Sequence, residues 1–218
     1  MKGIEVRLGD FRELSKDIES DSIHLIATDP PYGNAFLGLW DDLGRVAARV
    51  LAPGRFLVSY SGILCFPTAF DALRRHLDYH SIGGLNNHGP NCRLWCRGVW
   101  EVMHPVLFFM KPPVPSTGHR WFGNLLDSPT TDKRYHEWGQ SAGPFRYIIE
   151  RLTDPGELVF DPFLGGGTTA AAAQQLGRRF IGHEIDEDVA RIARKRAAGA
   201  YQLLLALPDT AEQLVFGE

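Results

Sequence analysis

The chain has 218 residues, 44% hydrophobic and 11% aromatic, enough for one substantial core, and a single domain over residues 1–218 is expected. A formal charge of -3 and a pI near 6.2 exclude an overall basic surface, so a nucleic-acid partner has to be met by a local basic face. Three cysteines (Cys65, Cys92, Cys96) cannot all pair, the N-terminus does not read as a signal peptide, and no apolar run reaches membrane-spanning length; the expectation is a reduced, cytoplasmic protein without a membrane partner.

In chain order, Ile4–Leu8 is predicted as a strand ended by Gly9-Asp10, and Ile23–Ala27 as a second strand. Leu39–Leu51 is predicted helical, with Leu43, Val46, Ala47 and Val50 at helical spacing. Pro53-Gly54 turns the chain into a strand at Arg55–Tyr60, and a helix is expected at Pro67–Leu77. Val99–Val102 and Val106–Met110 read as strands on either side of His104-Pro105. From Pro112 to Gly143, Pro, Gly, Ser, Thr and charged residues dominate, which predicts a long loop. A helix is expected at Pro144–Leu152, a strand at Glu157–Phe160, a helix at Thr168–Leu176, a strand at Arg179–Gly182 and a helix at Glu187–Ala198; the tail from Tyr201 is apolar but unpatterned. The alternation of strands and helices argues for an α/β sheet.

Val159-Phe160-Asp161-Pro162-Phe163-Leu164-Gly165-Gly166-Gly167-Thr168-Thr169 reads as strand, glycine turn and helix. That context suits a nucleotide-like ligand at a helix N-terminus beyond the carboxyl ends of parallel strands. No Gly-Lys-Ser/Thr follows the glycines, so this is not a phosphate loop. The next strand ends in an acidic residue, Glu184, about 20 positions on, as suits a pair of ribose hydroxyls. The second anchor is Ala27-Thr28-Asp29-Pro30-Pro31-Tyr32-Gly33, after an apolar strand. Asp-Pro commonly marks a turn. The two prolines also fix φ and remove two donors, making a stiff loop that carries a carboxylate and an aromatic ring.

Together, and in this order, Asp29-Pro30-Pro31-Tyr32 and Asp161-Pro162-Phe163-Leu164-Gly165-Gly166-Gly167-Thr168-Thr169 resemble the β class of S-adenosylmethionine-dependent DNA amino-methyltransferases, in a small phage- or prophage-like form. The resemblance implies a Rossmann-like methyltransferase sheet with helices on both faces and permuted motif order. It implies S-adenosylmethionine as cofactor, DNA as partner with the target base flipped out, and a bacterial or phage-infected cell as setting; a homodimer is compatible with it. Asp29, Pro30, Pro31 and Tyr32 are the implied catalytic residues. Asp10, Asp161, Pro162, Phe163, Gly165, Gly167, Thr168, Thr169 and Glu184 are the implied cofactor residues, with Asp10 near the cofactor adenine. Gln140 and Ser141 stand where relatives contact the methionine part, although many of those carry Lys-Pro there. Asp first and Tyr fourth resemble adenine enzymes, so the expected product is N6-methyladenine in DNA. The alternatives are the N4 amine of cytosine, or, in a different class, a non-catalytic DNA-binding module on the same scaffold.

Weaker signals complete the reading. His88, Cys92 and Cys96, with His104 beyond, do not have the usual zinc spacing and read as hairpin core, so no metal site is predicted. Arg93, Arg97, Lys111, His119, Arg120, Lys133 and Arg134 interleave with Trp95, Trp100, Trp121 and Tyr135, making an insert at about 86–140 the expected DNA-facing region. The insert is short, which points to a short or weakly specified recognition site. Arg191, Arg194, Lys195 and Arg196 are expected on a solvated helix face.

Overall fold

A computed structural model describes residues 3–87, 92–94, 99–101, 103–113, 122–128 and 142–206. The strands are β1 (Ile4–Leu8), β2 (Ile23–Thr28), β3 (Leu51–Tyr60), β4 (Asp78–Asn87), β5 (Cys92–Leu94), β6 (Val99–Glu101), β7 (Met103–Met110), β8 (Leu125–Ser128), β9 (Leu158–Asp161) and β10 (Arg179–Glu184). The α-helices are α1 (Phe11–Leu14), α2 (Leu39–Val50), α3 (Phe66–Leu73), α4 (Ala142–Leu152), α5 (Thr168–Gln175) and α6 (Glu187–Ala206).

Eight strands form one sheet in the order β1-β10-β9-β2-β3-β7-β4-β8, and β5 pairs with β6 apart from it. Neighbours in the large sheet are parallel except at β7, which runs antiparallel to β3 and β4. Four of the six β2 residues are apolar, and Ile23, Leu25, Ile26 and Ala27 are all buried, as in a strand covered on both faces. One face packs Leu25, Ala27, Val58 and Val159 against Phe145, Ile148 and Ile149 of α4, Ala170 and Ala173 of α5, and Ala193 and Ala197 of α6. The other packs Ile26, Leu57 and Phe160 against Trp40, Leu43, Ala47 and Val50 of α2 and Ala69 and Leu73 of α3.

The connections fix where a crevice opens. From β2 the chain crosses through α2 to β3 on one side; from neighbouring β9 it crosses through α5 to β10 on the other. Right-handed crossovers in opposite directions put their helices on opposite faces, so the sheet has its topological switch point between β9 and β2.

Several elements differ from the sequence reading. Pro53-Gly54 lies within β3 as a bulge: pairing with β2 jumps from Ile23↔Leu51 to Leu25↔Phe56, and Gly54 has φ +75°. The helix expected to reach Leu77 ends at Leu73, and His104-Pro105 lies inside β7. β4 and β8 were not anticipated, and β8 falls in the stretch read as loop, whereas β5, antiparallel to β6, lies where the sequence read as hairpin core. Gly83 and Gly84 disguise β4. A Cβ on Gly83 would sit 2.2 Å from the Asn124 carbonyl oxygen, so close backbone approach excludes a side chain there, while Gly84 lies under the flexible Met103 side chain. The α6 helix runs past Ala198 to Ala206 and takes in Tyr201. Among the described residues, no helix is long and apolar enough to cross a membrane.

Candidate active site

The parallel strands β1, β10, β9 and β2 deliver a carboxylate each to one edge of the sheet: Asp10 just beyond β1, Glu184 and Asp161 at the ends of β10 and β9, and Asp29 just beyond β2. Distant sequence motifs thereby become neighbours, in the order of the strands. Asp161 and Asp29 flank the switch point.

On the β1–β10–β9 side the residues build a cradle. Glu184 Oε2 accepts from Gly165 N at 2.8 Å, while Oε1 accepts from Ile185 N at 2.8 Å and Asp186 N at 3.0 Å, so the carboxylate ties the glycine turn to its own strand end. Asp10 sits beside it, since Gly9 N donates to the Glu184 carbonyl at 2.8 Å. Asp10 also caps α1, accepting from Arg12 N at 2.9 Å, and the Arg12 guanidinium holds its carboxyl below the usual carboxylate range. Much of Asp10 is therefore engaged within the chain. Phe11 and Phe163 make an aromatic wall, ring centroids 4.7 Å apart.

The two glycines singled out from the sequence have different jobs. Gly165 (φ +51°) would direct a Cβ into open space, with no atom within 4 Å, beside Glu184. Gly167 (φ +80°) would drive a Cβ to 2.8 Å from Ala193 Cα, so α6 packing requires it. Pro162, Thr168 and Thr169 are buried, and Leu164 N is held by the His183 carbonyl at 2.9 Å. Arg196 corrects the expectation of a solvated face. It is buried, and its guanidinium donates to Thr168 Oγ1 at 2.7 Å and to the Gly166 carbonyl at 3.4 Å. Helical spacing puts it on the inward side with Ala193 and Ala197, whereas Arg191, Arg194 and Lys195 are less enclosed.

Asp161 is buried. Its Oδ1 accepts from Thr28 Oγ1 at 2.6 Å and from Phe163 N at 3.1 Å, and its carboxylate also accepts from the Thr169 hydroxyl. Burial pushes its pKa up to about 6; these three donors oppose the rise and the Asp29 charge adds to it.

On the β2 side, Pro30 is buried and Pro31 exposed. The Tyr32 hydroxyl donates to Asp29 Oδ1. The Tyr32 ring is backed by Gly62, where a Cβ would come within 3.3 Å of Tyr32 Cγ, and Gly33 N donates to Cys65 Sγ at 3.4 Å. The residue is 38% exposed, so one part of the ring faces out while its hydroxyl is enclosed; burial first, then Asp29, raises that hydroxyl well above its usual range. Tyr60 lies behind, its ring stacked on Phe145 at 4.9 Å and its buried hydroxyl without a partner among the described residues.

Sequence reasoning did not single out Thr28, Gly62, Ile185 or Arg196. Ile185 is 73% exposed directly after Glu184, an apolar side chain beside the cradle. Adjacency to the motifs was the available signal for Thr28 and Ile185; Gly62 and Arg196 come from distant chain and carried none. Gln140 and Ser141 lie outside the described residues, as do His88, Cys96, Arg97, Trp95, His119, Arg120, Trp121, Lys133, Arg134 and Tyr135. No cluster of three or more metal-ligating side chains occurs among the described residues.

A family profile described as DNA methylase, of the N6/N4 type, matches residues 95–195. The type II methyltransferase M.BglII of Bacillus subtilis is 42% identical over 256 residues, an alignment that covers 92% of this chain and 69% of that protein. The chain belongs to the N6/N4 DNA methylase family. Among solved structures, the M1.HpyAVI–SAM complex matches with a TM-score of 0.71 at 24% identity, covering 88% of the methylase and 98% of that chain. PvuII DNA methyltransferase, described as cytosine-N4-specific, matches with a TM-score of 0.76 at 19% identity, covering 94% and 93%. These likenesses establish the methyltransferase fold. The cradle fits S-adenosylmethionine, the cofactor the family implies: Gly165 leaves room for close approach, Glu184 is a fixed acceptor at the strand end, and Phe163 and Ile185 offer apolar surface.

Proposed function

We propose that this methylase transfers a methyl group from S-adenosylmethionine to the exocyclic N6 amine of adenine in DNA. The observation that carries the reading is the placement of Asp29-Pro30-Pro31-Tyr32 and the Gly165 turn on either side of one switch point. S-adenosylmethionine supplies an electrophilic methyl on a sulfonium. Glu184 and Gly165 hold the nucleoside end, Asp10 offers its remaining acceptor capacity to the adenine amine, and Gln140 and Ser141 serve the methionine end.

The Asp29 carboxylate and the Pro30 carbonyl each accept one N–H of the target amine. This favours a pyramidal nitrogen whose lone pair points at the methyl. Tyr32, backed by Gly62, offers its ring to the base. Stacking of about 1–3 kcal/mol offsets part of the cost of extracting the base from the duplex. Alignment and electrostatics supply the rate; the proton leaves the nitrogen after transfer. The insert at 86–140, with its basic and aromatic residues, is the DNA-facing part of this single domain.

Cytosine N4 is the second reading, favoured by the likeness to the cytosine-N4-specific PvuII enzyme. The test is incubation with unmethylated DNA and methyl-labelled S-adenosylmethionine, digestion to nucleosides and identification by mass. N6-methyl-2′-deoxyadenosine is the expected product. N4-methyl-2′-deoxycytidine replaces the base and keeps the clamp. Cofactor binding without labelled DNA refutes the enzyme reading in favour of a binding scaffold.

A further inference from the structure

The ladder between the two halves of the site stops short of the chemistry. β2 and β9 pair at Leu25↔Val159 and Ile26↔Phe160 and no further. Beyond that point Ala27 and Thr28 stay with Val58 and Ser59 of β3, while Asp161 stays with Gly182 of β10. The strands fork where the cofactor cradle and the base clamp diverge, and a side-chain hydrogen bond crosses the fork. Thr28 Oγ1 donates to Asp161 Oδ1 at 2.6 Å, with both residues buried. Thr28 immediately precedes Asp29. Asp161 holds Phe163 N of the cofactor turn at 3.1 Å and the Thr169 hydroxyl in the first turn of α5.

Resting on the function proposed above, we propose that Thr28 is a positioning residue for methyl transfer: through Asp161 it sets the spacing and orientation of the base clamp relative to the cofactor cradle. The backbone ladder cannot do this beyond Ile26 and Phe160. The prolines stiffen the clamp internally, β3 and Cys65 hold its flank, and Thr28 at its root is tied to the cofactor half. A misplacement of about 1 Å between reacting partners costs about 10²-fold in rate, so a short buried bond from the root of the clamp to the cofactor half has leverage on the transfer step. The bond also acts on Asp161 electrostatically. The charged group facing Asp161 is Asp29, and the remaining donors are Phe163 N and the Thr169 hydroxyl. Removing the Thr28 donor makes ionisation of Asp161 harder, which moves its titration to higher pH.

The test uses the full chain, S-adenosylmethionine and unmethylated duplex DNA carrying the site that the nucleoside analysis identifies. Thr28→Val removes the hydroxyl at nearly constant shape, Thr28→Ala does so without a β-branch in case the valine does not pack, and Thr28→Ser keeps the donor. Expected for Val and Ala is a single-turnover rate down roughly 30- to 100-fold, with cofactor Kd at about pH 8 within about threefold of wild type. The acid limb of cofactor affinity shifts to higher pH, and Ser restores both rate and limb. A purely structural role lowers the melting temperature and leaves the rate per folded site and the pH limb in place; that result overturns the proposal. So does a rate loss that Thr28→Ser fails to repair. Wild-type protein that binds the cofactor yet methylates no DNA overturns the underlying function instead, so the two failures are distinguishable.

Discussion

Gly165→Ala and Gly167→Ala separate a glycine kept for a ligand from one kept for packing. Both occupy left-handed backbone, φ +51° and +80°, where an L side chain costs about 1–2 kcal/mol. For Gly165 that is the whole cost to the folded chain, because its Cβ would meet nothing within 4 Å. For Gly167 the Cβ would lie 2.8 Å from Ala193 Cα, 2.9 Å from Ala193 Cβ and 3.1 Å from its carbonyl oxygen. Backbone cannot swing aside, and overpacking adds about 1–3 kcal/mol. At roughly 2–4 °C per kcal/mol for a chain of this size, Gly165→Ala should melt a few degrees low and Gly167→Ala on the order of 10 °C low. Cofactor affinity by calorimetry should order them the other way among the folded molecules. Gly165→Ala should weaken S-adenosylmethionine binding at least about tenfold, since about 1.4 kcal/mol of lost approach suffices. Unchanged affinity in Gly165→Ala, or equal melting of the two variants, would refute the division of labour.

Two further perturbations probe other parts of the fold. His183 is fully buried beside Phe160, and neither ring nitrogen has a partner among the described residues; burial first, then Arg7, lowers its pKa to about 4 from 6.5. The unfolded chain therefore binds more protons between those values. This group's contribution is full above pH 6.5 and falls as pH drops toward 4, by about 2 kcal/mol at pH 5. Urea titrations at about pH 7.5 and pH 5 should show His183→Phe losing less stability than wild type by that amount; parallel losses would exclude the assignment. For the clamp, Tyr32→Ala should lower kcat/KM on duplex DNA roughly 10- to 100-fold, in line with about 1–3 kcal/mol of stacking. Tyr32→Phe keeps the ring and loses only the bond to Asp29, so its loss should stay under about tenfold with cofactor affinity unchanged. A Phe variant as impaired as Ala would place the function in the hydroxyl.

The class of fold was legible in the sequence, and so were the two motifs that the sheet brings to one edge. Ile23–Ala27, Glu157–Phe160 and Arg179–Gly182 read as short strands with acidic residues just beyond their ends, and Leu43, Val46, Ala47 and Val50 repeat at helical spacing. Such patterns are local and survive in one dimension. The strand β4 was illegible because its composition answers to a neighbour: Gly83 is small where the Asn124 carbonyl presses on the backbone. Charge patterning likewise put Arg196 on a solvated face, but α6 lies against the glycine turn and the guanidinium meets Thr168 and Gly166. That Thr28, 133 residues from Asp161, shares a buried hydrogen bond with it emerges from the folded sheet alone. The fold also decided that Gly165 opens to the crevice while Gly167, two positions on, is closed by Ala193. Sheet order and helix packing set these relations, and they involve residues whose separation along the chain carries no periodic signal.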